Sequence, residues 1–431
     1  MLFERIAVYL PEGIVPGQYV ATKRNKITYI GPNAPNTAED YGETYPGKGK
    51  LLLPAFVNAH SHTPMTLLRG YGENLSLHDW LRQRIFPFEA RMTGRDIYFA
   101  TLLGIAEMLR FGIVSTTDMY SSICDMAKAF AESGAKINLS AGVTNFTGQA
   151  YDDLAATKDA HAAIEQYHMA EDGRVCIDLS MHAEYTSDEK TVRAAAEDAA
   201  KRGLRVHVHI SETKEEHEEC KKRRGGRTPV EYFASCGLFD VPATAAHCVW
   251  IEDKDREILA EKGVTVATCP KSNLKLASGV FDARAAMLAG VAVAIGTDSV
   301  ASNNNLNMIE EIRTFLLAQK GFSGDPTLIA PKEALHAATR AGALSQGRED
   351  CWEIREGYRA DLIVLDVSGP SMWPVFELMN NVVYSASGSD VLLTMCDGKV
   401  LYRDGSFPTI DLERVYAEVE AARVRILGEM A

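Results

Sequence analysis

Leu51-Leu52-Leu53-Pro54-Ala55-Phe56-Val57-Asn58-Ala59-His60-Ser61-His62 joins an apolar run to two histidines one residue apart. In an extended backbone, residues two apart face the same way. His60 and His62 therefore reach one point from one strand end, as a metal site requires. Taken alone, such a pair more often describes two half-exposed histidines in a polar loop. The decision rests on whether the rest of the chain supplies the missing ligands.

Outward from this stretch the texture is regular. Short β-branched or apolar runs alternate with longer segments of helical period from about residue 51 to 320. The runs are 51–60, Gly112–Tyr120, Lys136–Thr144, Val175–His182, Arg205–Glu212, Thr244–Trp250, Gly263–Pro270 and Val291–Ser299. Thr186-Ser187-Asp188 opens one helical segment, and Gly134, Gly203, Gly263 and Gly290 sit where a helix hands over to a strand. Eight strands alternating with helices over about 250 residues predict an α/β fold, a (β/α)8 TIM-type barrel. A doubly wound sheet is the runner-up, but Gly70-Tyr71-Gly72 lacks a third glycine and no GxxxxGK phosphate loop occurs.

Both chain ends read differently. Arg5–Tyr9, Tyr19–Ala21 and Lys26–Pro32 form short strand runs, as do Ala360–Asp366, Val382–Ser385 and Val391–Tyr402. We expect a small β-sandwich domain built from residues 1–53 and 355–410, a barrel over 54–354, and a C-terminal helix over 411–431. Pro331 to Gly347 reads as one further helix.

The bulk properties exclude whole classes of function. A net charge of −13 argues against non-specific nucleic-acid binding and against an anionic membrane surface. The basic run Lys221-Lys222-Arg223-Arg224 follows Glu215, Glu216, Glu218 and Glu219, and reads as a solvated helix face. The eight cysteines include no CxxC pair, so a disulfide framework or thiolate zinc site is not expected and a reducing cytoplasm is. Met1-Leu2-Phe3-Glu4 shows neither a basic n-region nor an apolar h-region, and no run is long enough to span a bilayer.

In such a barrel, catalytic groups sit at the C-terminal strand ends. Here those ends read His60-Ser61-His62, Ser180-Met181-His182, His207-Val208-His209-Ile210-Ser211-Glu212, Ala245-Ala246-His247-Cys248 and Gly296-Thr297-Asp298-Ser299. Six of the eleven histidines thus face one mouth, a sorting that scattered core histidines would not produce. Three or four histidines and one aspartate suit Zn²⁺ or Fe²⁺, with room for water whose pKa the metal would lower. Glu212, three residues beyond His209, suits a proton shuttle rather than a ligand. His247 fits either a ligand or a group that holds the water, and Asp298 could bind metal and also accept a proton.

Two-metal barrels of this kind usually bridge their ions with a modified lysine on the fourth strand. His182 stands at that strand end without a lysine, so a single metal is expected. His207 should lie deeper, as a packed and hydrogen-bonded core histidine. His78, His161, His168, His217 and His336 fall in loops or helices, with surface placement expected. Cys248 and Cys269 lack a paired base and are not read as nucleophiles.

These residues together resemble the amidohydrolase superfamily, in its cytosine-deaminase-like, single-metal branch. Within it, the chain is similar to the 5′-methylthioadenosine/S-adenosylhomocysteine deaminases, a group mixed with triazine chlorohydrolases. The likeness rests on Pro54–Gly70, Ala245–Val249, Ser272–Leu276 and Gly296–Asn304. It implies that His60, His62, His209 and Asp298 bind one divalent metal, zinc before iron. It further implies that Glu212 shuttles protons, His247 positions the attacking oxygen, Glu89 binds ribose hydroxyls and His182 contacts the nucleoside. Trp80 could wall the pocket or simply pack.

The implied activity is hydrolytic deamination of an adenine nucleoside to the inosine-type product and ammonia. Relatives that accept S-adenosylhomocysteine tend to carry arginines after the third strand. Ala141–Gln149 has none here, which tilts the expectation towards methylthioadenosine, adenosine or another purine-like substrate. The alternatives are a triazine chlorohydrolase, a guanine- or cytosine-type deaminase and, from another class, a non-catalytic scaffold. Thr63-Pro64-Met65 counts against guanine, because guanine-type relatives tend to place a glutamine there. The expected partner is a small-molecule purine nucleoside, without nucleic acid or membrane, and the β domain and helical tail offer contacts for a homo-oligomer.

Overall fold

The structure is a computed structural model that describes residues 1–36, 40–75 and 77–430. The Leu51–His62 stretch is not one strand but two. Lys50–Pro54 runs antiparallel to Leu362–Asp366 and parallel to Leu2–Leu10. The chain then changes partners. Pro54 has no N–H to give a ladder; Ala55 N–H donates to Asp361 O (3.0 Å) and Phe56 N–H to Gly112 O (2.8 Å). The expected single strand over 51–60 is corrected accordingly: its apolar first half belongs to the terminal sheet, and only its second half carries the histidines.

Eight parallel runs follow in chain order: β1 Phe56–Ser61, β2 Ile113–Tyr120, β3 Lys136–Ala141, β4 Val175–Met181, β5 Val206–Ile210, β6 Ala243–His247, β7 Thr265–Thr268 and β8 Ala292–Ile295. Each pairs in parallel with the next, as Thr116 with Ile137 or Val208 with Ala245. β4 is interrupted at Asp178. Its first half pairs with β3 and its second with β5, and Asp178 N–H bonds back to Leu139 O (2.8 Å). Beyond the end of β8, Asp298 N–H donates to His60 O (2.9 Å). Gly296 permits that approach, since a Cβ there would sit 2.8 Å from His60 N.

The intervening helices use the expected punctuation. Asp188 caps Glu189–Arg202 by accepting from Thr191 N–H, and Gly134 and Gly203 end their helices with φ of 87° and 68°. The 331–347 segment is two helices, Pro331–Ala337 and Arg340–Ser345, separated by Thr339 in a non-helical conformation (ψ −81°).

The chain ends meet in one mixed sheet of eight strands with its own core, including Phe3, Ile27, Leu52, Val364 and Met395. Val382–Ser385, expected as a strand, lies in the helix Leu378–Ser385. Met379, Val382 and Val383 are buried at helical spacing, and the packed face outweighs the β-branched propensity. The Leu412–Met430 helix packs on Gly94–Arg110. Lys136, at the start of β3 and 1% exposed, reaches Asp361 and Asp397 (2.8 Å to the latter), tying the terminal sheet to the parallel strands. No helix among the described residues is long and apolar enough to cross a membrane.

Candidate active site

The six strand-end histidines converge beyond the C-terminal ends of β1, β4, β5 and β6. Donor atoms of His60, His209 and His247 lie within 4.8 Å of one another, as do those of His60, His62 and Asp298. His60 Nε2 and His62 Nε2 are each 3.5 Å from Asp298 Oδ1, and His209 Nε2 is 3.3 Å from His62 Nε2. His60 Nε2 is buried without a hydrogen-bond partner. An orphaned imidazole nitrogen facing a carboxylate and three other imidazoles is costly unless something binds it. This nitrogen and oxygen donor set fits a divalent transition metal such as zinc.

The opposite ring nitrogens fix the tautomers. His62 Nδ1–H donates to Met119 O (2.6 Å) and His209 Nδ1–H to His182 O (2.7 Å), so each Nε2 presents a lone pair to the centre. His247 Nδ1–H donates to Asn273 Oδ1 (2.9 Å), and His60 Nδ1 lies 3.0 Å from His207 Nε2. Burial pulls His60 down to about 3 and His209 well below its ordinary value, which keeps both rings neutral, the form a metal needs. Burial also depresses His247, but the Glu212 and Asp298 carboxylates outweigh it and raise its pKa.

Asp298 is held ionised. Burial opposes its charge, but His60, His247 and His62 hold it far below the usual carboxylate range. Ser272 Oγ–H and Ser302 Oγ–H donate to its Oδ2 at 2.5 and 3.0 Å, leaving Oδ1 to the histidines. Glu212 is different. It accepts from Ser278 Oγ–H (3.3 Å), lies 3.9 Å from His247 Nε2, and its pKa is raised by burial. One carboxylate is thus kept charged and the other disposed to hold a proton, the pairing that separates acid from base roles. Ser211, His247, Cys248 and Asp298 all have φ between 47° and 69°, so three of the strand ends bearing these groups turn through a conformation rare for non-glycine residues.

These groups open into a cavity of about 240 Å³ that also reaches His182, Glu89, Trp80, Phe86 and Tyr185. Burial raises the Glu89 pKa, and Glu89 Oε1 accepts from Tyr120 O–H (2.5 Å). Burial likewise lowers His182 to about 4, and its Nδ1 has no partner. Trp80 both lines the cavity and is 6% exposed, so it walls and packs at once. No lysine or arginine lines the cavity among the described residues. A larger cavity of about 320 Å³ lies by Lys136, Arg205 and Arg348 and touches none of the strand-end histidines.

Every proposed site residue therefore falls in one place: His60, His62, His182, His209, Glu212, His247, Asp298 and Glu89. His207 is buried and hydrogen-bonded, as its position suggested, but its partner is His60 of the central cluster. His217 departs from its expected surface placement: it is 3% exposed, with Nδ1 3.0 Å from Ser211 Oγ. The side chain of His78 lies outside the described residues. The basic run is not merely solvated either, because Arg223 and Arg224 both reach the fully buried Glu184 at 2.6 Å. Cys248 and Cys269 are buried with pKa values pushed well up by burial, and are inert.

No role is read from the sequence for the supporting groups Asn273, Ser272, Ser278, Ser302 and Tyr120. Ser272 and Asn273 lie on the Pro270–Lys275 helix after β7, and with Ser302 they stand in the stretches Ser272–Leu276 and Gly296–Asn304 that carried the family likeness. Ser278 leaves no pattern.

Comparison with known proteins agrees with this geometry. A 5-methylthioadenosine/S-adenosylhomocysteine deaminase of Dictyoglomus thermophilum is 40% identical over 420 residues, 97% of each chain. A 5′-deoxyadenosine deaminase of Methanothermobacter thermautotrophicus is 39% identical over 382 residues, 89% of each chain. The crystal structure of an adenosine deaminase from Xanthomonas campestris with bound zinc superposes with a TM-score of 0.91 at 30% identity, covering 99% of this chain and 98% of that one. The sequence pattern of the amidohydrolase family matches residues 51–401, and the chain belongs to that family.

Proposed function

We propose that this enzyme is a single-zinc hydrolytic deaminase of adenine nucleosides. The observation that carries the reading is the single cavity that joins the clustered histidines and Asp298, the protonatable Glu212 and, beyond them, the half-buried Glu89. The names of the relatives support the substrate class. His60, His62, His209 and Asp298 are the proposed ligands, and zinc held there would lower the pKa of water and so supply a nucleophile at neutral pH. The absence of a lysine at the end of β4 supports one metal.

The chain's own residues then manage position and protons. Glu89 accepts hydrogen bonds from ribose hydroxyls, and His182 offers its unpartnered Nδ1 to the nucleoside. His247 Nε2, oriented by Asn273, holds the attacking oxygen in place. Glu212 delivers one of water's protons to the purine ring nitrogen beside C6, which makes that carbon more electrophilic. As the C6–O bond forms, Asp298 takes the second proton, which goes to the departing amino group. The C6–N bond breaks, ammonia leaves, and the inosine-type product remains. The cavity's lack of lysine and arginine favours methylthioadenosine, adenosine or a 5′-deoxy nucleoside over one bearing an amino-acid carboxylate.

The same reading extends to the architecture. The eight parallel strands close as a (β/α)8 barrel over residues 54–354, supported by the Asp298–His60 backbone bond between the last and first strands. Residues 1–53 and 355–410 form the β-sandwich domain, supported by their separate core, and 411–431 the terminal helix. The acidic surface suits a small-molecule substrate without nucleic acid or membrane, and eight unpaired cysteines suit the cytoplasm. The terminal sheet and helix are the surfaces available for a homo-oligomer.

An ammonia-release screen over methylthioadenosine, S-adenosylhomocysteine, adenosine, guanine, cytosine and triazines tests the assignment. Turnover is expected with the first or third, and activity confined to a pyrimidine or triazine would overturn it.

A further inference from the structure

Glu216 stands in a charge run that reads as solvated helix face, yet its side chain turns inward. It lies in the first turn of the Lys214–Arg223 helix, which Thr213 caps by accepting from Glu216 N–H (3.1 Å). Its carboxylate reaches back past that cap. Oε1 accepts from Ser211 N–H (3.0 Å) and Oε2 from Glu212 N–H (2.8 Å). The two donors are consecutive residues at the point where β5 gives way to the helix.

That point needs holding. Ser211 has φ 47°, a left-handed conformation that costs a non-glycine residue about 1–3 kcal/mol unless its surroundings determine it. The next residue is Glu212, whose carboxyl must remain beside His247 and Ser278. Among the described residues, neither N–H has an acceptor other than the Glu216 carboxylate. Burial and the neighbouring Glu212 carboxylate push Glu216 up to about 7, while the two amide hydrogen bonds favour its charged form.

We infer that Glu216 is a positioning residue for the reaction: by clamping the Ser211 and Glu212 amides it fixes the turn that aims the Glu212 carboxyl. The inference rests on the role proposed for Glu212. It does not require Glu216 to touch substrate or metal.

The test uses the full zinc-loaded chain as wild type, Glu216→Ala and Glu216→Gln. It measures steady-state ammonia release, zinc per chain, and hydrogen exchange at the Ser211 and Glu212 amides. Glu216→Ala should lose about 10- to 100-fold in kcat, the scale of a displaced catalytic group, with KM and zinc content little changed. Both amides should exchange faster. Glu216→Gln keeps one carbonyl acceptor and should recover part of kcat and of the protection.

Unchanged kcat in Glu216→Ala would overturn the inference, as would a raised KM at constant kcat or a loss of zinc. If Glu216→Ala does not fold, Glu216→Gln decides, and wild-type rate and exchange there would refute the clamp. If the wild type releases no ammonia from any nucleoside, the functional reading has failed, whereas the exchange of the two amides still judges Glu216.

Discussion

Replacing Glu212 with glutamine separates the proton shuttle from the metal site. Glu212 belongs to neither donor cluster and lies 3.9 Å from His247, so Glu212→Gln should keep its zinc. Glutamine preserves the shape and can still accept from Ser278 Oγ–H. It cannot deliver a proton to the ring nitrogen. General acid–base catalysis contributes about 10²- to 10⁴-fold, so kcat should fall by that factor, or about 3–5 kcal/mol of barrier.

Stability should move the other way. Burial raises the Glu212 pKa, so the folded protein binds this proton more tightly than the unfolded chain. The stabilisation from such a group is complete below its unfolded pKa and is lost as pH rises through the folded value. A neutral glutamine escapes that loss. Metal-free Glu212→Gln should therefore melt at or above the wild type, with the difference widening as pH rises above the carboxyl's unfolded value. The assays are ammonia release, zinc per chain and thermal unfolding. A near-normal kcat, or loss of zinc with loss of activity, would refute the role assigned to Glu212.

Three other perturbations probe the surroundings. His207→Phe fills the same space but leaves His60 Nδ1 without its partner at 3.0 Å, so zinc affinity measured by competition with a chelator should fall about 10- to 100-fold. Lys136→Met strands the Asp361 carboxylate, 2% exposed at its side chain, while Arg359 still pairs with Asp397 at 3.1 Å, and should cost about 3–5 kcal/mol in urea unfolding with zinc content the same. Glu311, pushed up to about 8 by burial, keeps its proton in the folded state after the unfolded chain has released it. Wild-type stability should thus fall relative to Glu311→Gln as pH rises from about 5 to about 8, and parallel stability profiles would contradict this.

Much of the site was legible because barrel topology converts sequence position into place. His60, His62, His182, His209, His247 and Asp298 are far apart in the chain but each follows an apolar run, and one rule about strand ends gathers them. The errors have a common cause. Leu51–His62 is apolar up to Asn58, and nothing in that pattern marks the change of sheet at Pro54 beyond the missing N–H. Val382–Ser385 has strand propensity, and only its packing shows it to be helical. His217 and Glu216 look exposed in a charged helix, but both turn towards the β5 end. Such side chains are placed by tertiary contacts that no local period encodes.

The central claim is that one metal, held by His60, His62, His209 and Asp298, makes this chain a nucleoside deaminase. Its most direct test is to strip the protein of metal and restore zinc in steps, following ammonia release from methylthioadenosine and adenosine. The account predicts a rate that rises linearly to one zinc per chain and then stays flat. A rise that continues to two, full activity without metal, or no ammonia from either nucleoside at saturation would contradict it.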